Sequence, residues 1–281
     1  MKVFILLLGG LFARSLFAQP SIGIVAPIRM DSLVSISGYD VLVESVSNLV
    51  SPKTISDAQF EANLKTLSNL KTPVYALNIF IPGDMKLVGP LVNEKALLEY
   101  VEIVFMRCKK AGIKLIVWGS GGARRIPEGF SPAMAKLQFI ELAKKVAQVA
   151  ERYEVVLALE NLNRTETNFI NTVNEAFEIV TLVDHPNMRL CADIYHMLKE
   201  NEPPGILLTA REVLVHCDLA EKENRNPPGV NGEDFAGYLK SLKQINYQGK
   251  VVLECRWTNF VDQVIPAREY LRQQLDAVWT D

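Results

Sequence analysis

Val155-Val-Leu-Ala-Leu-Glu160, an amphipathic run over 173–183, and Arg189-Leu-Cys-Ala-Asp193 make one unit: a short apolar strand, a helix, and a second short apolar strand. Both strands stop at a carboxylate. The same alternation extends in both directions, with strands expected over 22–26, 41–46, 74–79, 113–118, 155–160, 189–193, 213–219 and 251–254. Helical patterns fill the gaps over 57–70, 93–110, 132–152, 173–183, 234–245 and 266–278. Ser131 before Pro132 reads as an N-cap followed by a proline in the first turn. This rhythm is the signature of βα units on a parallel sheet.

Eight such units match the size of a closed (β/α)8 barrel, so the fold class is α/β, a single TIM barrel over residues 19–281. An open doubly wound sheet would place a glycine-rich phosphate loop after its first strand, where this chain reads Pro27-Ile-Arg-Met-Asp31. No linker, low-complexity tract or internal period beyond the βα alternation divides it. At 281 residues and 49% hydrophobic content, the chain has ample material for one core. The balance of 30 Lys+Arg against 32 Asp+Glu, without a dense basic run, argues against a nucleic-acid partner. Cys108, Cys191, Cys217 and Cys255 lack CxxC spacing and read as buried free thiols. Residues 1–18 have the charge-then-apolar order of a secretory signal peptide, so the mature protein is expected to be secreted or periplasmic. No other segment approaches membrane length.

Catalytic groups in such a barrel gather at the carboxyl ends of the strands. Here strand five ends in Glu160, strand six in Asp193, strand seven carries His216-Cys217-Asp218, and strand eight ends in Glu254. One acid at a strand end is ordinarily a solvated group. Four at the same height face one another in a partly desolvated mouth, which is costly unless protons or a cation neutralise them. Carboxylates with at most one imidazole suit Mn²⁺ best, with Mg²⁺ or Co²⁺ as alternatives.

The chain resembles the xylose-isomerase-like TIM barrels of sugar isomerases and epimerases, including the ketose 3-epimerases. The likeness rests on Glu160-Asn-Leu-Asn-Arg-Thr-Glu166, Asp193-Ile-Tyr-His196, His216-Cys-Asp-Leu-Ala-Glu-Lys-Glu-Asn-Arg225 with its following prolines, and Glu254. The resemblance implies Glu160, Asp193 and Glu254 as metal ligands, and the two glutamates also as the acid/base pair. It implies His196 and Arg225 as substrate contacts and Glu166 as a group orienting a sugar hydroxyl. On strand seven the family's usual ligand position falls on Asp218. His216, two residues earlier on the same strand face, is the alternative.

Moving a hydrogen beside a carbonyl needs a base, an acid, and a means of holding the enediolate. Glu160 and Glu254, from strands three apart in a ring of eight, would bracket a planar enediolate. Return of the proton to the opposite face epimerises the carbon, and return to the neighbouring carbon isomerises the sugar. The expected function is thus a metal-dependent carbohydrate isomerase or epimerase acting on a small sugar or keto-glycoside. The alternatives are a secreted 3-keto-glycoside lyase or hydrolase on the same metal site, and a non-catalytic carbohydrate-binding barrel. The last would be marked by loss of one glutamate, and both are present. Three weaker signals accompany these. Trp257 either stacks on a sugar face or packs its loop. The glycines of Trp118-Gly-Ser-Gly-Gly-Ala-Arg124 either cradle an anion or form a tight turn over the mouth. Asn163-Arg-Thr165 fits a glycosylation sequon but lies inside the family motif.

Overall fold

Eight parallel strands close on themselves in the computed structural model, which describes residues 18–280. They are β1 (Ile22–Val25), β2 (Val41–Ser45), β3 (Val74–Asn78), β4 (Leu115–Trp118), β5 (Val156–Glu160), β6 (Met188–Asp193), β7 (Leu214–Leu219) and β8 (Lys250–Leu253). Each pairs with its sequence neighbour, and β8 pairs with β1 through Ile22↔Val251, Gly23↔Val252 and Ile24↔Leu253. The (β/α)8 barrel expected from the sequence is the fold. The leader expected over 1–18 lies, but for Ala18, outside the described residues. Among the described residues no helix is long and apolar enough to cross a membrane.

Two cores follow from the alternation of side chains along each strand. Inward positions are mostly small, with Val43, Ala76, Val117, Ala158, Cys191 and Val252 filling the barrel beside the larger Leu115. At Gly23 a Cβ would sit 2.8 Å from both Val41 Cγ2 and Val252 Cγ2, so this position in the packed interior has room only for hydrogen. Outward positions such as Ile24, Leu42, Ile116 and Leu190 pack beneath the helices in the larger core. Helix Pro132–Arg152 shows how sequence sets the outer ring. Ser131 Oγ accepts from the Met134 N–H, Pro132 takes the first turn, and Phe139, Ala143, Val146 and Ala150 repeat at helical spacing on the buried face.

Differences from expectation are confined to ends and short elements. The last helix runs Phe260–Thr280 and keeps Pro266 inside it, so it begins ahead of the expected 266. A seven-residue helix, Ile194–Glu200, follows β6 directly and had no pattern long enough to announce it. All four cysteines are free, but Cys255 is half-buried.

Candidate active site

Residue register aims the four acids. Glu160 lies opposite Cys191, two residues short of Asp193; Asp193 lies opposite Asp218; and Asp218 lies opposite Val252, two residues short of Glu254. Steps of two preserve the strand face, so all four side chains belong to the inward set. The forward steps are the stagger that tilted strands need for neighbours to finish together at the mouth. One oxygen each from Glu160, Asp218 and Glu254 lies within a mutual 4.8 Å, as does a ligand atom each from Glu160, Asp193 and His196. Glu254 stands just past β8, and its N–H donates to Leu219 O at 3.1 Å.

The electrostatics are unbalanced. Arg225 Nη2 donates to Asp193 Oδ2 at 3.0 Å and to Glu254 Oε2, while its Nε donates to the Glu254 carbonyl at 3.0 Å. Burial alone would lower the Arg225 pKa, but Glu254, Asp193, Glu160 and Glu166 together hold it above its ordinary range. The Arg225 guanidinium thus faces four carboxylates. Burial, then the neighbouring Glu254, Asp193 and Asp218, keep Glu160 well above the usual carboxylate range. Burial, opposed by Arg225 and reinforced by Asp218, pushes Asp193 and Glu254 up to about 7.

Asp193 serves two ends. Its Oδ1 caps helix Ile194–Glu200 by accepting from the N–H of Tyr195 (2.8 Å) and His196 (3.4 Å), leaving Oδ2 for the mouth. Histidine 196 is fully buried, and its Nδ1 accepts from the Asn163 backbone N–H at 3.1 Å. That contact puts the ring proton on Nε2. Nε2 then has no hydrogen-bond partner and looks toward Asp193 Oδ2 at 3.3 Å and Glu160 Oε1 at 3.8 Å. Burial, then Arg225, push the His196 pKa down to about 3, so the ring is neutral. An Nε2–H so placed is a donor for a ligand oxygen.

On β7, His216 and Asp218 are neighbours with different surroundings. Asp218 joins the two glutamates, whereas His216 groups with Asp218 and Cys191. His216 Nε2 lies 3.0 Å from Asp218 Oδ1, and the Cys191 thiol donates to Asp218 Oδ2 at 3.4 Å. The imidazole and thiol thus orient the carboxylate from beneath. The oxygen-rich donor set of Glu160, Asp193, Asp218 and Glu254 fits a hard divalent cation, and His196 Nε2–H keeps its donor capacity free.

A family model described as the xylose isomerase-like TIM barrel matches residues 40–279. The chain belongs to that family. Within it, the protein is similar to the D-psicose 3-epimerase of Ruminiclostridium cellulolyticum, 37% identical over 116 residues, 41% of this chain and 39% of that one. It is also similar to the 3-dehydro-D-guloside 4-epimerase of Escherichia coli, 30% identical over 179 residues, 60% of this chain and 68% of that one. The first match therefore spans well under two thirds of its relative's length. Among solved structures, a 3-keto-D-glucoside 4-epimerase from E. coli superposes with a TM-score of 0.76 at 23% identity, covering 91% of this chain and all (100%) of that one. An L-ribulose 3-epimerase gives a TM-score of 0.78 at 19% identity, over 92% and 95% of the two chains. At such identities these two superpositions show the fold.

In this xylose isomerase-like barrel the remaining site candidates take distinct places. Glu166 Oε1 lies 3.8 Å from Arg225 Nη1, at the rim. Trp257 packs edge-on against Phe260, 5.0 Å between ring centres, and is not among the residues lining the cavity beside Glu254. Asn163, the sequon asparagine, is buried with its Nδ2 2.8 Å from His196 Nδ1, so it is bound up in the site. The glycine segment after β4 makes a turn whose Gly119 leaves room for Glu160: a Cβ there would collide with Glu160 Oε2. Two further groups were missed in the sequence. Asn78 Nδ2 donates to Glu254 Oε1 at 2.8 Å, and the Glu44 carboxylate accepts from Ile28 N–H and Ser45 N–H, both at 2.8 Å. Both line a cavity of about 330 Å³ that opens over β1–β3 beside Glu254 and Arg225. Asn78 ends an apolar strand, which is a signal in the sequence, but it carries no ionisable group to stand out there.

Proposed function

We propose that the protein is a divalent-metal-dependent carbohydrate isomerase or epimerase that moves a proton at a carbon beside a carbonyl, with Glu160 and Glu254 as its acid/base pair. The observation that carries this reading is the convergence of those two glutamates, from β5 and the end of β8, on Asp218 within 4.8 Å. A divalent cation, Mn²⁺ foremost, held by Glu160, Asp193, Asp218 and Glu254, would polarise the carbonyl and offset the negative charge left by proton removal. One glutamate takes the proton from one face of the substrate, and the other returns a proton from the opposite face. His196 Nε2–H and the Arg225 guanidinium donate to substrate oxygens, and Glu166 accepts from a hydroxyl at the rim. The small cavity and the epimerases among the relatives support a free ketose or a keto-glycoside as substrate. A leader over residues 1–18 and work in the periplasm or outside the cell complete the reading; mass spectrometry of the native product, showing loss of about the first eighteen residues, tests that part.

The chemistry is tested by incubating purified protein and Mn²⁺ with free ketoses and 3-keto-glycosides in D2O, following deuterium by NMR. Incorporation at the carbon beside the carbonyl without cleavage is the expected result. Cleavage of the keto-glycosides would mark a lyase or hydrolase on the same centre, and absence of exchange across the panel would overturn the reading.

A further inference from the structure

The segment leaving β7 carries Arg225 along an unusual path. Asn224 and Arg225 both have φ of 56°, two consecutive side-chain-bearing residues in the left-handed region. Such a pair persists only where its surroundings over-determine it, and strain of this kind gathers at functional sites. Local bonds fold the turn: Glu221 N–H donates to Asn226 O at 2.9 Å, and Arg256 N–H donates to Arg225 O at 2.8 Å. The guanidinium then lies 4.9 Å from the Tyr195 ring centre while it grips Asp193 and Glu254.

Beneath the turn, Glu221 is fully buried and pairs with no cation among the described residues. Its Oε1 accepts the backbone N–H groups of Gly229 (2.7 Å), Gly232 (3.1 Å) and Glu233 (3.3 Å), and its Oε2 that of Asn231 (2.6 Å). Gly229 and Gly232, at φ of 92° and 76°, let the backbone curl its amides around one carboxylate. All four donors belong to the outgoing limb of the loop. The buried Pro227 and Pro228, whose rings fix φ, join that limb stiffly to Arg225 two residues upstream. A buried carboxylate is retained at high desolvation cost, and here its full set of donors anchors the limb that meets the active-site arginine.

We infer that Glu221 is a positioning residue: by clasping the 229–233 backbone it places the Arg225 guanidinium on Asp193 and Glu254. This rests on the reading of Glu254 as one of the acid/base pair and of Asp193 as its neighbour in the proposed metal centre. The test uses the full protein and two measurements. First, deuterium wash-in from D2O into D-psicose is followed for wild type, Glu221→Gln, Arg225→Met and the double variant, all with Mn²⁺. Glu221→Gln is expected to lower kcat/KM by about 10- to 100-fold, the scale of groups that orient a reacting shell. In the Arg225→Met background the same change should cost less than about threefold, since residues acting as one unit are not additive. Equal losses in both backgrounds would overturn the proposal. Second, the Arg225 Nε–H resonance is read by NMR without substrate; it should shift or broaden in Glu221→Gln while amides of β1–β4 stay in place. An unmoved resonance also overturns the proposal. Should Glu221→Gln fail to fold, both measurements on Glu221→Asp, whose shorter carboxylate cannot span the same amides, decide the matter. A wild type that exchanges no proton with D-psicose counts against the functional reading for that substrate, and the resonance still decides whether Glu221 places Arg225.

Discussion

The barrel mouth is made of two unlike halves. At the inward strand-end positions, β2, β3 and the exit of β4 present Ser45, Asn78 and Gly119, whereas β5 through β8 present Glu160, Asp193, Asp218 and Glu254. Backbone geometry is shared, so the difference is one of side-chain chemistry on a common frame. The β2–β4 half, whose Glu44 carboxylate is turned onto the N–H groups of Ile28 and Ser45, is fitted to the acidic one: Asn78 donates to Glu254, and the missing side chain of Gly119 is the space that Glu160 fills. One half supplies charge, and the other decides where that charge points. Barrel enzymes are often read from their ionisable residues alone, and this molecule shows what such a reading omits.

The comparison breaks most readily on its acidic side. Replacing Glu160 or Glu254 by Gln, with bound metal verified by elemental analysis, should lower sugar conversion by about 10²- to 10⁴-fold. Deuterium wash-in then separates the faces, since each variant should keep exchange only where its surviving carboxylate serves. A metal-loaded variant that converts substrate like wild type would remove that residue from the acid/base pair.

Next in size is the division of labour on β7. Calorimetry should find Mn²⁺ binding abolished in Asp218→Ala but weakened only about 10- to 100-fold in His216→Ala, because the imidazole orients a ligand without being one. The reverse ranking would move the ligand to His216. Smaller again is the β2–β4 half. Gly119→Ala and Asn78→Ala should each reduce kcat/KM by about tenfold, through misplacement of Glu160 and Glu254 respectively, with the thermal midpoint little changed. If both variants keep full activity, the β2–β4 half is mere packing. Least of all, Trp257→Leu should alter KM by less than about twofold, since the indole faces Phe260. A large rise in KM would return Trp257 to the substrate surface.

The fold and the acids were legible in the sequence for the same reason. Buried strands write continuous apolar runs, and a carboxylate ending such a run stands out against them. Glu160 and Asp193 needed only that contrast. What stayed hidden depended on distance in space rather than along the chain. Nothing near Gly119 announces that the position must yield room to a residue forty-one places on, and Glu221 reads as one acid in a charged loop until its four amide donors are seen. Asp218 and His216 share a strand face, so their own spacing leaves both open; the family resemblance points to Asp218, and their neighbours in the barrel differ. Short helices such as Ile194–Glu200 escape because seven residues carry too little periodicity.

The pairing of β8 with β1 has a bearing on how the molecule is made. Glu254 follows the strand whose partner, β1, left the ribosome first, and the other three acids precede it in the chain. Chains begin to organise from their N-terminal end during synthesis. A centre held by the four proposed ligands would be complete only when the final strand is laid against the initial one. Metal capture should therefore track ring closure, arriving with the last kinetic phase of refolding, and a nascent chain stalled short of residue 254 would hold an incomplete set of ligands.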